Sequence, residues 1–440
     1  MTSTLAKFPR LNAPTLHHLP NGLTIIAEQM PIDAVNLDLW VKTGSAMESD
    51  AINGMAHFLE HIVFKGTQKL ISGEFERRIE ERGAVTNAAT SQDYTHYYIT
   101  TAPKDFAELA PLQIDVVCNP SIPDDAFERE RLVVLEEIRR SEDNPGRRIY
   151  RHAMETAFDT LPYRRPVLGP AEVISEVKPQ QMRDFHSYWY QPQSMTAVAV
   201  GNLPVEELIE IIAAEFSKNQ RQTINELIEI PVIPEPAFTE IVRREFVDET
   251  LQQARLIMIW RVPGLKELNE TYALDIIAGI LGQVRTSRLV HDLREERELV
   301  SSISVSNMSN LWQGVFSISA KCNVENLAAV EEANCLQQRF AIAQHLRILQ
   351  TEFIKESEIY RVRKRVTNRF IFGNETPSDS YGALRYRAGL YGYYQSLIGD
   401  LEPAFNYPQL MHAQEATDLI QAAKNYLSPD AYGIVIVKPV

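Results

Sequence analysis

Apolar and polar residues alternate at Val35, Asn36, Leu37, Asp38 and Leu39, and Val41 closes the run. This two-residue period predicts a half-buried strand over Val35–Val41. Upstream, Asn21-Gly22 predicts a turn into an earlier strand, Leu23–Glu28. Gly54–Phe64 drops the alternation and is mostly apolar. It suits a buried helix, in which His57, Glu60 and His61 are costly guests. Ser72-Gly73-Glu74 opens a charged amphipathic helix that stops near Gly83, and Ala84–Thr100 reads as two strands. The first carries Thr86, Asn87, Ala88 and Ala89, the second Thr95 to Ile99. One helix runs from Pro103 to near Asn119-Pro120. Another starts near Pro123-Asp124-Asp125, with acidic residues in its first turn, and ends before Asn144-Pro145-Gly146. Pro179–Tyr190 predicts a helix and Met195–Val200 a strand.

The pattern then repeats. Asn219–Pro236 is polar at first and then punctuated by Pro231, Pro234 and Pro236, as a linker is. Beyond it, Ala254 to Trp260 echoes Ala34 to Trp40. Tyr190-Gln191-Pro192 before Thr196–Val200 is echoed by Leu427-Ser428-Pro429 before Gly433–Val437. The expected architecture is α+β and duplicated: a first domain over 1–220, a linker over 221–236 and a homologous domain over 237–440. A length of 440 residues is too long for one ordinary core and fits two.

Composition narrows the function. The formal net charge is −14, which argues against a general nucleic-acid binder, whose usual footprint is basic. It gives a mild preference for basic polypeptide substrates. Cys118, Cys322 and Cys335 are far apart and form no CxxC, which fits a reducing setting. Met1 to Pro20 has no apolar leader core, and no run of about 18 apolar residues exists. On these grounds a cytoplasmic protein without a membrane span is expected.

The chemistry centres on His57-Phe58-Leu59-Glu60-His61, an HxxEH pattern. On a helix, residues four apart project from one face, so His57 and His61 can hold one Zn²⁺ with Glu60 beside them. A catalytic zinc site takes three protein ligands. The best source of the third is the helix Asp125–Arg139, where Glu130 and Glu137 lie two turns apart on one face. Geometry leaves both as candidates, and Glu136, about 100° away from Glu137, is weaker if that face is the buried one.

The run Gly54 to Thr67 resembles the signature of the M16 metallopeptidases, the family of pitrilysin, insulin-degrading enzyme and the mitochondrial processing peptidase. The resemblance extends over nearly the whole chain. It takes in Asn87-Ala88-Ala89-Thr90, Thr95-His96-Tyr97-Tyr98, Glu130 to Ile138, Glu142-Asp143-Asn144-Pro145 and Ser287-Arg288-Leu289. The length is similar to that of the short two-domain subunits of the processing-peptidase branch. The resemblance implies two duplicated domains of the M16 and LuxS-like type, each a mostly antiparallel sheet packed with helices. It implies one zinc per chain on His57, His61 and Glu137, with Glu60 as general base and Glu130 supporting the site from behind. It also implies an extended peptide substrate paired to the Asn87–Thr90 strand, with Asn87 and Ala88 touching its backbone.

One departure qualifies this. The family often carries an Arg and, seven residues on, a Tyr that stabilise the oxyanion or hold substrate. Arg294 takes the first place, but Ser301 stands at the second and Glu298 replaces a customary glycine. Losing one oxyanion donor costs about 10²–10³ in kcat. The expectation is therefore a zinc endopeptidase acting on peptides or unfolded segments, in a closed chamber shared with a related M16 subunit. A heterodimer is expected, with a homodimer as the alternative. The rival readings are a non-catalytic assembly subunit, which has no reason to keep ionisable groups at metal spacing, and a metal-storing partner, which has no need of Glu60.

Overall fold

The computed structural model describes residues 13–218, 232–331, 341–352, 354–375 and 380–440. The first sheet has six strands: β1 (Thr15–His18), β2 (Thr24–Gln29), β3 (Val35–Val41), β4 (Val85–Thr90), β5 (Thr95–Thr101) and β6 (Met195–Gly201), in the order β1-β2-β6-β3-β5-β4. Only β2 and β6 are parallel neighbours. The second sheet has five: β7 (Ile241–Val247), β8 (Ala254–Pro263), β9 (Ser302–Met308), β10 (Gln313–Cys322) and β11 (Tyr432–Lys438), in the order β7-β11-β8-β10-β9. This order repeats β2-β6-β3-β5-β4, and β7 and β11 are again the parallel pair. The fold is thus two duplicated α+β domains, each a mixed sheet packed by helices. Among the described residues, no helix is long and apolar enough to cross a membrane.

The alternation in β3 predicts one buried face, yet every residue of β3 is buried. Val35, Leu37, Leu39 and Val41 join the core with Met55, Phe58 and Leu59. The opposite face carries Asn36, Asp38 and Trp40, and a helix from late in the chain, Ser380–Ile398, covers it. Gly392 of that helix lies against the Trp40 indole, where a Cβ would fall 2.1 Å from Nε1. Arg387 pairs with Glu28 of β2, and the Tyr391 hydroxyl donates to the same carboxylate at 2.8 Å. All three side chains are buried, and breaking such a pair costs about 3–5 kcal/mol. The second sheet receives the reciprocal service. A helix from the first half of the sequence, Pro145–Ala157, places Ile149 against Val435 and Val437 of β11.

Consequently the two compact units do not divide at one point in the sequence. One comprises Met1–Arg140, Arg165–Ile230 and Arg369–Asn406. The other comprises Ser141–Arg164, Pro231–Asn368 and Tyr407–Val440. Of the expected linker 221–236, residues 221–231 lie outside the described residues. Glu235, near its end, is fixed in the second unit. Its carboxylate accepts the N–H groups of Asp159, Thr160 and Leu161 at 2.7–3.0 Å and pairs with Arg261 at 2.8 Å.

Candidate metal centre

The helix that carries the histidines, α1 (Met55–Ile62), starts from Gly54 at φ +97°, a conformation that favours glycine. A Cβ there would also meet the Leu168 carbonyl at 2.5 Å. Helix N-termini leave N–H groups without partners. Here a distant side chain satisfies them: the buried Glu48 carboxylate accepts Gly54 N–H and Ala56 N–H, both at 2.7 Å, and the Asn53 amide at 2.8 Å. Burial pushes the Glu48 carboxyl up to about 7, against these hydrogen bonds and the nearby Arg165. Glu48 escapes sequence reasoning because it caps the helix from outside it, and its only trace is an acidic residue shortly before an apolar run.

The acidic side of the site comes from α2 (Asp124–Asp143). Phe127 of α2 packs against Phe58 of α1, with ring centroids 4.6 Å apart. Arg131 anchors the helix by donating to the carbonyls of Ile174, at 3.1 Å, and Val177, at 2.9 Å. Between the two helices, the Nε2 atoms of His57 and His61 face one oxygen, Glu137 Oε2, at 3.4 and 3.6 Å. One ligand atom from each residue lies within 4.8 Å of the others. These separations are long for hydrogen bonds. The 3.4 and 3.6 Å imidazole–carboxylate separations lie near the edge of a tetrahedron with bonds of about 2.0–2.1 Å, which is roughly 3.3–3.4 Å. Two imidazoles and a carboxylate, spaced as co-ligands, fit a zinc ion.

Glu130 plays a different part. Its Oε1 lies 3.0 Å from His61 Nδ1, and its Oε2 pairs with Lys65 Nζ at 2.9 Å. With Nδ1–H donated to Glu130, His61 keeps its Nε2 lone pair for the metal side. Glu136 points elsewhere and pairs with Arg139 and Arg140, at 2.8 and 3.0 Å. The alternatives left open by spacing therefore separate in space: Glu137 faces both histidines, Glu130 backs one of them, and Glu136 faces neither. The electrostatics agree. The neighbouring imidazoles of His57 and then His61 hold the Glu137 carboxyl well below the usual carboxylate range. Burial alone lowers His61, but contact with Glu137 and Glu130 outweighs it and leaves the imidazole raised.

Glu60 lies on α1 between the histidines. Its Oε2 accepts the Thr90 hydroxyl at 2.5 Å, which ties it to the end of β4. β4 is an edge strand of the first sheet. The bond from Ser91 N–H to Tyr94 O, at 2.8 Å, closes the β4–β5 turn. By the antiparallel alternation, the backbone groups of Ala89 and Asn87 then pair with β5, while those of Thr86, Ala88 and Thr90 point outward. The Ala88 N–H is held by the Asn87 side-chain oxygen at 2.9 Å.

Arg294 belongs to the second unit. It lies in a π-helical turn, Val290–Glu296, and its guanidinium pairs with Glu295 at 2.6 Å. Ser301, also in that unit, donates to Gln253 at 2.7 Å. Glu298 adopts φ +49°, the left-handed conformation that a glycine there would take without strain. The helix Leu268–Gly282 occupies the place of α1 in the second sheet's strand sequence; it is buried almost throughout and carries no histidine.

Comparison with known proteins agrees with this geometry. Residues 23–171 match the insulinase model of peptidase family M16, and residues 176–365 match the M16 inactive-domain model. A zinc protease of Helicobacter pylori, PqqE, is 27% identical over 430 residues, covering 96% of this chain and 92% of its own. The crystal structure of a protease from Helicobacter pylori superposes with a TM-score of 0.87 at 26% identity, covering 98% of this chain and all of that one. The first half of the periplasmic protease PqqL of Escherichia coli shares the fold at 19% identity, with a TM-score of 0.77, covering 98% of this chain and 93% of that one. The chain belongs to the M16 family and has its two-domain zinc-metallopeptidase fold. The His57, His61 and Glu137 cluster and the relatives together support a zinc-dependent hydrolytic function.

The cytoplasmic expectation does not stand. It rested on the lack of an apolar leader core in Met1–Pro20 and on scattered cysteines. Neither absence fixes a compartment, and a periplasmic protease is among the proteins that share this fold.

Proposed function

We propose that this chain is a zinc endopeptidase that cleaves peptides or unfolded polypeptide segments. The observation that carries the reading is the convergence of His57 Nε2, His61 Nε2 and Glu137 Oε2 beside Glu60 and the edge strand β4. His57, His61 and Glu137 would hold one zinc ion, which supplies a Lewis acid for the scissile carbonyl and lowers the pKa of water. Glu130 holds the His61 tautomer in place, and Lys65 balances its charge. Glu60 takes the proton from the attacking water and returns it to the leaving amine. The outward backbone of Thr86, Ala88 and Thr90 receives an extended substrate as an added strand. In that step Asn87 and Ala88 contact the substrate backbone, and the Asn87 side chain gives up the Ala88 N–H.

Arg294 is the family-like candidate for holding substrate or the oxyanion. Ser301 is several ångströms too short to replace a phenol, so this half of the active centre is completed by a related M16 subunit. The chain accordingly works as a short, two-domain subunit of the processing-peptidase kind, in a heterodimer with a sibling that lacks a working zinc site.

The reading is tested by offering one protein in two forms, folded and reduced-and-alkylated, and sequencing the products by mass spectrometry. Internal cuts confined to the unfolded form, and abolished by a zinc chelator, are the expected result. Trimming from chain ends alone, or equal cutting of both forms, contradicts it.

A further inference from the structure

We propose that Thr90 is a positioning residue for Glu60, tying the orientation of the base to the strand that receives substrate. This rests on the zinc-endopeptidase reading and adds a residue to it. Among the described residues, the Thr90 hydroxyl supplies the hydrogen bond to the Glu60 side chain, at Oε2 and 2.5 Å. A glutamate on a helix has three rotatable side-chain bonds and several allowed rotamers, among which a fixed partner selects. A donor fixed on Oε2 leaves Oε1 as the free oxygen that takes a proton from water.

Thr90 is well placed to be that donor. It is the last residue of β4, paired with Thr95 of β5, and the tight turn closed by Ser91 and Tyr94 follows at once. Its side chain lies on the α1 face of the sheet while its backbone points outward from the edge. Among the described residues, the Thr90 hydroxyl donates to Glu60 alone. The Thr95 hydroxyl is 3.5 Å away and donates to the Thr43 carbonyl at 2.9 Å. Thr95 is wholly buried, as are Tyr97 and Tyr190 behind it, whose hydroxyls pair at 2.7 Å. Buried, hydrogen-bonded hydroxyls thus lie behind Thr90, and its own proton goes to Glu60. A substrate strand that pairs with the Thr90 backbone is thereby held by the same residue that aims the base.

Thr90→Val keeps the shape and β-branching of the side chain and removes the donor. Thr90→Ser keeps the donor. The substrate-pairing backbone is present in both. The experiment compares wild type, both variants and Glu60→Gln, with zinc affinity by chelator competition, Tm, and kcat and KM on an internally quenched peptide. For Thr90→Val, a charge-assisted hydrogen bond corresponds to a loss of about 10- to 100-fold in kcat. Zinc affinity and Tm are expected to match wild type, with KM within about twofold; Thr90→Ser is expected to restore most of kcat. Thr90→Val with wild-type kcat overturns the proposal while wild-type cleavage leaves the peptidase reading standing. Equal losses in both variants, accompanied by a raised KM or lowered zinc affinity, assign Thr90 to strand packing and also overturn it. A zinc-loaded wild type that cleaves no peptide overturns the peptidase reading, and this proposal with it.

Discussion

Glu137→Gln is expected to lose zinc almost completely, while Glu136→Gln, one residue away, binds it as wild type does. The difference follows from where the two side chains point. Glu137 places one oxygen 3.4 and 3.6 Å from the two imidazoles. Glu136 is occupied by Arg139 and Arg140 on the outer side of the helix. An amide in place of Glu137 removes the negative charge and half of the oxygen donors from a three-ligand site. Glu130→Gln sets the scale. It keeps an oxygen for His61 but disturbs the pairing with Lys65, and losing an outer partner of this kind costs about 10–100-fold in metal affinity. Glu137→Gln should exceed that range. Competition against a zinc chelator of known affinity ranks the three variants. An order in which Glu136→Gln is the most damaging would show that the helix face is misassigned.

Glu60→Gln is expected to separate binding from chemistry. The introduced amide is isosteric with the carboxylate and its oxygen accepts the Thr90 hydroxyl, so α1 and the histidines stay in place and zinc is retained. It has no basic oxygen to take a proton from water. General acid–base groups contribute about 10²–10⁴-fold, and kcat should fall by that order with little change in KM. Cleavage near the wild-type rate by this variant would remove Glu60 from the reaction.

How much of this was legible in the sequence depends on the range of the interaction. β3 could be read to the residue, because a period of two is a local property and Val35–Val41 obeys it. The helix around His57 and His61 and the duplication were legible for the same reason, through an apolar run and a repeated strand pattern. The burial of β3 on both faces was not. It depends on Trp40 meeting Gly392 and on Glu28 meeting Arg387, contacts between residues more than 350 positions apart. No local periodicity records them, and the exchange of helices between halves is equally invisible. The linear division into 1–220 and 237–440 reflects that blindness, since 141–164 and 369–406 each pack with the other half's sheet.

The site shows the same boundary. Helical spacing put His57 and His61 on one face but left Glu130 and Glu137 tied, because residues two turns apart share a face whatever that face meets. The long-range packing of the two helices, Phe127 on Phe58 and Arg131 on the Ile174 and Val177 carbonyls, sets which carboxylate arrives at Nε2 and which at Nδ1. The contacts of Glu48 with the start of α1 and of Thr90 with Glu60 exist only in three dimensions. One caps a helix from outside, and the other reaches from a strand end to a helix side chain.

If hydrolysis depends on one zinc held by His57, His61 and Glu137, metal and activity must rise together. Metal-free protein, alone and mixed with a related subunit, would be titrated with Zn²⁺ while cleavage of an internally quenched peptide library is followed. Cleavage that starts from nothing, rises with added zinc and saturates at one equivalent per chain is the expected result. Stoichiometric zinc binding with no cleavage under either condition, or cleavage by the metal-free protein at the same rate, would contradict it.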